Sequence, residues 1–341
     1  MTTTAMACVD ADGHVRDTDE SVRPYLQAPY NERPRLSGGA ARDGFDNTLG
    51  NRLGTREVDT EVWIDALERG RLDVAVLFPT GSLGTGWLRE PDFAAARMAA
   101  YNDWLFETYL QADSRFKGMA LLPVQDPPQA ARELRRGVEE LGMLGGMLPE
   151  GPYLFGKPEF DVVYAEAQRL GVPLAIHGSG RLTGSYDEFL FDNLAQAHSL
   201  GHAFLQMKQF VSIVLSGVPE KFPELKLAFL EAGCGWTTYM LDRMDERYHL
   251  RGHVDAPLLT KSPSEYLESG NIFISCEAEE RLLPETLRIL GDDVIVYASD
   301  FPHWDAEFPG NIQHLLARED LTESQRSKVA GLNAKRLYGL D

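Results

Sequence analysis

The chain has 341 residues, 43% of them hydrophobic, and a formal charge of −19. That length suits one large α/β barrel, and the apolar fraction is enough for a substantial core. The charge argues against nucleic acid or an anionic membrane surface as partner, because both are bound mainly by clustered Lys and Arg.

Short apolar runs recur along the chain. They are MACVDAD at 6–12, LDVAVLFP at 72–79, KGMALLPV at 117–124, GGMLPE at 145–150, VPLAIHG at 172–178, LKLAFLEAG at 225–233, NIFISCE at 271–277 and DVIVYASD at 293–300. Continuous rather than alternating apolar runs suit parallel strands covered on both faces. Helix-like segments lie between them. Residues 59–71 open on an Asp-Thr cap signal, 92–112 form a long amphipathic run, and 128–142 and 159–171 both stop at glycine; TLRILG and the C-terminal run from 321 complete the series. Eight-fold β-α alternation predicts a single (β/α)8 TIM-like barrel domain over residues 1–341. A doubly wound open sheet is the runner-up, but no Gly-rich phosphate loop follows the first strand. Two connections, 15–58 and 178–200, are too long for plain turns and are expected to be insertions capping the C-terminal mouth.

No apolar run approaches the roughly 18 residues needed to cross a bilayer, and MTTTAMACVD has no basic-then-apolar leader. Cys8, Cys234 and Cys276 are far apart in sequence, which argues against a disulfide framework or a cysteine zinc site and fits a cytoplasmic protein.

In such a barrel the chemistry sits at the C-terminal strand ends. Those positions hold Asp12-Gly13-His14, His177, Glu231 and Asp300, whereas three intervening strands end in Pro79, Pro123 and Pro149. A carboxylate such as Asp300, at the end of a buried strand, is costly unless something positive meets it. Asp12 and His14 share a strand face, and carboxylate and imidazole donors suit zinc, iron(II) or manganese(II). One by one these residues have ordinary explanations: a capping aspartate, a hydrogen-bonded core histidine, or a Glu231–Arg243 pair. Four strand ends that converge on one mouth favour a metal. Softer candidates are His303 in the loop after the eighth strand, His202 four residues after His198, and Trp236 and Trp304, which could stack on a planar substrate. Arg52, Arg56 and Arg181, in the two long connections, could bind a substrate carboxylate.

The motifs DADGHV, PLAIHG, KFPELKLAFLEAGCGW, YASDFPHWD and NAKRLYGL resemble the amidohydrolase superfamily. They are most similar to the branch that includes aminocarboxymuconate-semialdehyde, γ-resorcylate and 5-carboxyvanillate decarboxylases. The resemblance implies a distorted barrel with one divalent metal held by Asp12, His14, His177 and Asp300, a small-molecule substrate and a homodimer. The carboxylated lysine of binuclear members has no counterpart in GGMLPE. Aspartate stands at position 12 where the branch commonly has histidine or glutamate, and Glu231 replaces the acid-base histidine of the sixth strand. Two reactions fit these residues. In decarboxylation, Glu231, its pKa raised by burial, protonates carbon before CO2 leaves. In hydrolysis of an amide, lactone or activated C–C bond, Asp300 is the base for an activated water. Decarboxylation is the expectation, hydrolysis the alternative, and a non-catalytic binding barrel the third reading.

Overall fold

The computed structural model describes residues 6–33, 58–178 and 194–341. Each apolar run supplies one strand: β1 Val9–Val15, β2 Val74–Pro79, β3 Phe116–Leu121, β4 Gly145–Pro149, β5 Leu174–His177, β6 Leu227–Leu230, β7 Ile272–Cys276 and β8 Ile295–Tyr297. They pair in parallel in the order β1 to β8. Two backbone bonds then join the end of the series to its start, Asp300 N to Asp12 O at 3.0 Å and His14 N to Phe301 O at 2.7 Å. The last strand therefore returns to the first, which excludes the open sheet and makes the fold a (β/α)8 barrel.

Helices α1 Thr60–Gly70, α2 Pro91–Leu105, α3 Pro127–Glu139, α4 Asp161–Leu170, α5 Leu194–Leu215, α6 Gly235–Asp255 and α7 Leu283–Leu290 alternate with the strands. α1 starts where Asp59 accepts from the Val62 amide at 2.9 Å, an N-cap that satisfies one of the orphan donors. Of the two connections expected to cap the mouth, 34–57 and 179–193 lie outside the described residues. Residues 194–200, counted within the second connection, are instead the opening turns of α5.

β1 differs from its expected bounds. It starts later than residue 6 and runs through His14 to Val15, with a register shift between Asp10 and Gly13. Trp63 of α1 explains Gly13. A Cβ there would lie 2.7 Å from the Trp63 ring and 2.8 Å from Asp10 Oδ2, so only glycine lets the indole sit against the strand. From that position Trp63 Nε1 donates to His14 O at 2.9 Å.

Candidate metal centre

Asp12, His14 and His177 come together at the barrel axis, all buried. His14 Nδ1 lies 2.8 Å from Pro79 O and His177 Nδ1 lies 2.7 Å from Gly178 O. A carbonyl only accepts, so both rings carry a proton on Nδ1 and, in the neutral form, present the Nε2 lone pair inward. Neither Nε2, nor either oxygen of Asp12, has a hydrogen-bond partner. Asp12 Oδ1 is 3.6 Å from His14 Nε2 and 3.3 Å from His177 Nε2. Buried polar atoms are seldom left unpaired; four orphaned acceptors facing one another fit a cation that they share.

Asp300 joins from β8, with Oδ1 3.4 Å from His14 Nε2. Two overlapping donor sets could hold an ion, Asp12–His14–His177 and His14–Glu231–Asp300–His303, the donor atoms of each lying within 4.8 Å of one another. Among the described residues only three non-glycines have left-handed φ: Arg71 at 54°, Glu231 at 56° and Asp300 at 53°. Arg71 ends α1. The other two turn the chain just after β6 and β8, a conformation that costs an ordinary residue about 1–2 kcal/mol.

Burial sets the charge states. It keeps His14 well below the ordinary histidine value, in the neutral form that ligates. It raises Asp12, and it lifts Asp300 to about 8 with Glu231 adding to the effect. At His177 burial works against the charged form, but Asp12 and Glu231 outweigh it and the ring is raised to about 9. A divalent ion would reverse these costs by neutralising the carboxylates.

Glu231 corrects an expectation. Burial does push its carboxyl upward, yet His202 and His177 prevail and hold it well below the ordinary value. Its Oε2 lies 3.3 Å from His177 Nδ1 and 3.5 Å from His202 Nδ1, and its Oε1 lies 3.5 Å from His303 Nδ1. Glu231 is thus ionised among three imidazoles. Arg243 does not pair with it and binds Glu246 instead.

His303 is bonded at both ring nitrogens, Nδ1 to Asp300 Oδ1 at 2.6 Å and Nε2 to Thr80 Oγ1 at 3.1 Å. His202 lies beside Glu231 on α5, with its ring 5.0 Å from that of His198. Trp304 sits 5.7 Å from the His198 ring. Trp236 does not join the group; it is buried against Phe210, and Nε1 donates to Gly233 O. Arg52, Arg56 and Arg181 lie outside the described residues.

Asp10 was missed at the sequence level. Its Oδ1 accepts from Ser299 N at 2.9 Å and Asp12 N at 3.2 Å, and its Oδ2 accepts from Ser299 Oγ at 2.5 Å. One buried carboxylate thereby clamps the two strands that carry Asp12 and Asp300. Simple alternation would place residue 10 at the axis with Asp12 and His14, but the register shift between Asp10 and Gly13 turns Asp10 to the Gly13 side of the strand, a displacement that no sequence period marks. Thr80 and Asp17 were missed as well.

A recess of about 80 Å³ opens at the centre, its lining including Asp12, Glu231 and Asp300 together with Glu277, Glu279, Asp305 and Glu307. Among the described residues, none that lines it is Lys or Arg. The carboxylates that line it would repel an anionic substrate, and a cation at the axis would offset that repulsion.

A (β/α)8 barrel with imidazoles and carboxylates gathered at the C-terminal strand ends defines a metal-dependent enzyme class. The amidohydrolase family matches residues 9–340, and the chain belongs to it. It is 25% identical over 303 residues to the 2-amino-3-carboxymuconate-6-semialdehyde decarboxylase of Dictyostelium discoideum, covering 84% of this chain and 79% of the relative. It is 29% identical over 273 residues to the γ-resorcylate decarboxylase of Rhodococcus jostii, covering 74% and 79%. Among solved structures, an amidohydrolase from Mycobacterium avium subsp. paratuberculosis superposes with a TM-score of 0.80 at 19% identity, covering 99% of this chain and 100% of the other. A dihydroxybenzoic acid decarboxylase from Polaromonas, solved with manganese and 2-nitroresorcinol, gives a TM-score of 0.72 at 20% identity, covering 98% and 97%.

Proposed function

We propose that this chain is a divalent-metal-dependent, non-oxidative decarboxylase of an aromatic or unsaturated carboxylic acid. Asp12, His14, His177 and Asp300 would hold one ion. The observation that carries the reading is the set of orphaned, buried acceptors of Asp12, His14 and His177 beside a carboxylate, Glu231, that faces the recess. The relatives' named activities support decarboxylation over hydrolysis. Two imidazoles and two carboxylates suit manganese, zinc or iron(II), and manganese, found in the Polaromonas structure, is the first to test.

Held by those residues, a divalent ion would supply positive charge at the acidic recess to balance a substrate carboxylate. The protein's own part is proton delivery. His202 is the imidazole on Glu231 that reaches solvent, its side chain 13% exposed against 0% for His177 and 5% for His303. A proton passes from His202 to Glu231 and from Glu231 to the substrate carbon that bears the carboxylate. The new C–H bond takes an electron pair from the π-system. The C–C bond then breaks, its pair refills the π-system, and CO2 leaves. His202 recovers its proton from water. Substrate is a small molecule, and a cytoplasmic homodimer belongs to the same reading; three unbridged cysteines suit a reducing compartment. Among the described residues no helix is long and apolar enough to cross a membrane.

The test is CO2 release from hydroxylated aromatic and unsaturated acids by the manganese-loaded protein in D2O. One deuterium should replace each lost carboxylate. Hydrolysis of an amide, lactone or C–C substrate by the same preparation, without CO2 release from any acid, would overturn the proposal.

A further inference from the structure

Thr80 reaches the candidate centre from a strand that supplies no ligand. It directly follows β2, whose last carbonyl, that of Pro79, accepts from His14 Nδ1. Thr80 is buried, and Oγ1 lies 3.1 Å from His303 Nε2. The loop is fixed in place. Thr80 N donates to Val15 O at 3.1 Å and to Asp17 Oδ1 at 3.0 Å. Buried Asp17 also accepts from Gly81 N at 2.7 Å and from Ser82 Oγ at 2.5 Å. At the other end of the chain of contacts, His303 Nδ1 lies 2.6 Å from Asp300 Oδ1, and the His303 ring packs on that of His14 with centroids 4.2 Å apart.

An imidazole held at one nitrogen alone can turn about its Cβ–Cγ bond and present carbon where nitrogen was. A second bond at Nε2 removes that freedom. A hydroxyl suits the task because it donates to the lone pair of a neutral ring and accepts from the N–H of a charged one. It therefore holds the same orientation in both states. Valine has the same shape and can do neither.

We propose that Thr80 is a positioning residue for this centre: anchored by Asp17, its hydroxyl fixes His303 so that Nδ1 stays on Asp300 and orients that carboxylate. The kinetic consequence rests on the decarboxylase reading, whereas the spectroscopic and metal-binding consequences do not.

The experiment compares wild type, Thr80→Val and Thr80→Ser as full-length zinc-loaded protein with 15N-labelled histidine. In wild type, His303 should show an exchange-protected, downfield Nδ1–H proton, assigned by its loss in His303→Asn. Thr80→Val should lose or broaden this signal and weaken zinc binding about 10- to 100-fold in chelator competition, the usual range for an outer-shell partner. Thr80→Ser should restore both, and its melting temperature would show that the fold is intact. If valine does not fold, Thr80→Ala takes its place. An unchanged His303 signal and unchanged zinc affinity in the valine or alanine variant would overturn the proposal. If the signal and affinity change while no acid is decarboxylated by wild type, the positioning role stands and the reaction assigned above falls. With an active enzyme, kcat should fall in Thr80→Val more than KM changes.

Discussion

Asp12→Asn should melt above wild type when both are metal-free and below wild type when both are loaded with manganese. Without a cation, Asp12 is a fully buried carboxylate with no well-formed hydrogen bond on either oxygen, and the His177 ring 3.3 Å from Oδ1 offsets only part of the burial that resists its ionisation. Leaving one such group unsatisfied costs roughly 1–3 kcal/mol. Asparagine keeps the shape, discards the charge and can donate toward His177 Nε2, which lies 3.3 Å from Asp12 Oδ1; His177 then returns toward its neutral form. Unfolding entropy near 2.1 cal/mol/K per residue over 341 residues makes 1 kcal/mol worth about 1.4 °C. The metal-free variant should therefore melt about 1–4 °C above metal-free wild type. Manganese at a thousandfold excess over its dissociation constant adds about 4 kcal/mol to wild type, or about 6 °C, and little to the variant. The assay is scanning calorimetry with chelator and with manganese, beside metal content by mass spectrometry, where wild type should retain about one equivalent. Equal manganese increments in the two proteins, or a metal-free variant that melts below wild type, would refute the reasoning.

Asp10→Ala strips the acceptor from Asp12 N, Ser299 N and Ser299 Oγ. At roughly 1–3 kcal/mol per buried orphan, partly offset by losing a buried charge, a drop of about 3–6 °C in melting temperature is expected, together with weaker metal retention. Glu231→Gln should lower turnover about 10²- to 10⁴-fold, the range for a lost acid-base group, while metal content stays near that of wild type; loss of the metal would instead make Glu231 a ligand. In the chelated protein, stability should fall as pH rises from about 5.5 to about 8. Asp10 is raised from 3.8 to about 7, chiefly by burial, and Asp300 to about 8. A carboxyl raised in the folded state binds its proton more tightly there, so its contribution is complete below the unfolded value and lost as pH passes the folded one. His177, raised to about 9, acts in the same direction, and His14, lowered by burial, opposes them. Urea midpoints that stay flat or rise across this range would count against these assignments.

What was legible in the sequence and what was not follow from where each interaction runs. The strands were legible because a parallel barrel buries both faces of every strand, leaving continuous apolar runs such as Leu174–His177 and Ile295–Tyr297. The end of the second long connection is harder to read than the strands, and α5 starts at Leu194, before residue 200, because Gly-, Ser- and Asp-rich sequence gives way only gradually to the helix. The ionisation of Glu231 is not legible in the sequence, because burial is readable from an apolar run whereas its imidazole neighbours are not: His202 comes from α5 and His303 from the loop after β8. Thr80 and Asp17 act across loops, and no period marks a contact of that kind.

The same contacts explain why the site lies where it does. A barrel built in strand order has one junction that sequence neighbours cannot close, between β8 and β1. Here that junction is made by two backbone bonds, Asp300 N to Asp12 O and His14 N to Phe301 O, and by the Asp10 carboxylate on Ser299. Three of the residues that could hold the ion, Asp12, His14 and Asp300, are thus the residues of the seam itself. An ion shared among them would tie the first strand to the last, so metal affinity and closure of the barrel draw on one free energy. The loop closed in this way spans most of the chain, and its entropic cost grows only logarithmically with length. One well-satisfied cluster at the seam can therefore offset that cost. The left-handed backbone at Asp300 is part of the same arrangement: it turns the chain out of β8 so that the amide of this residue meets β1 while its carboxylate faces the axis.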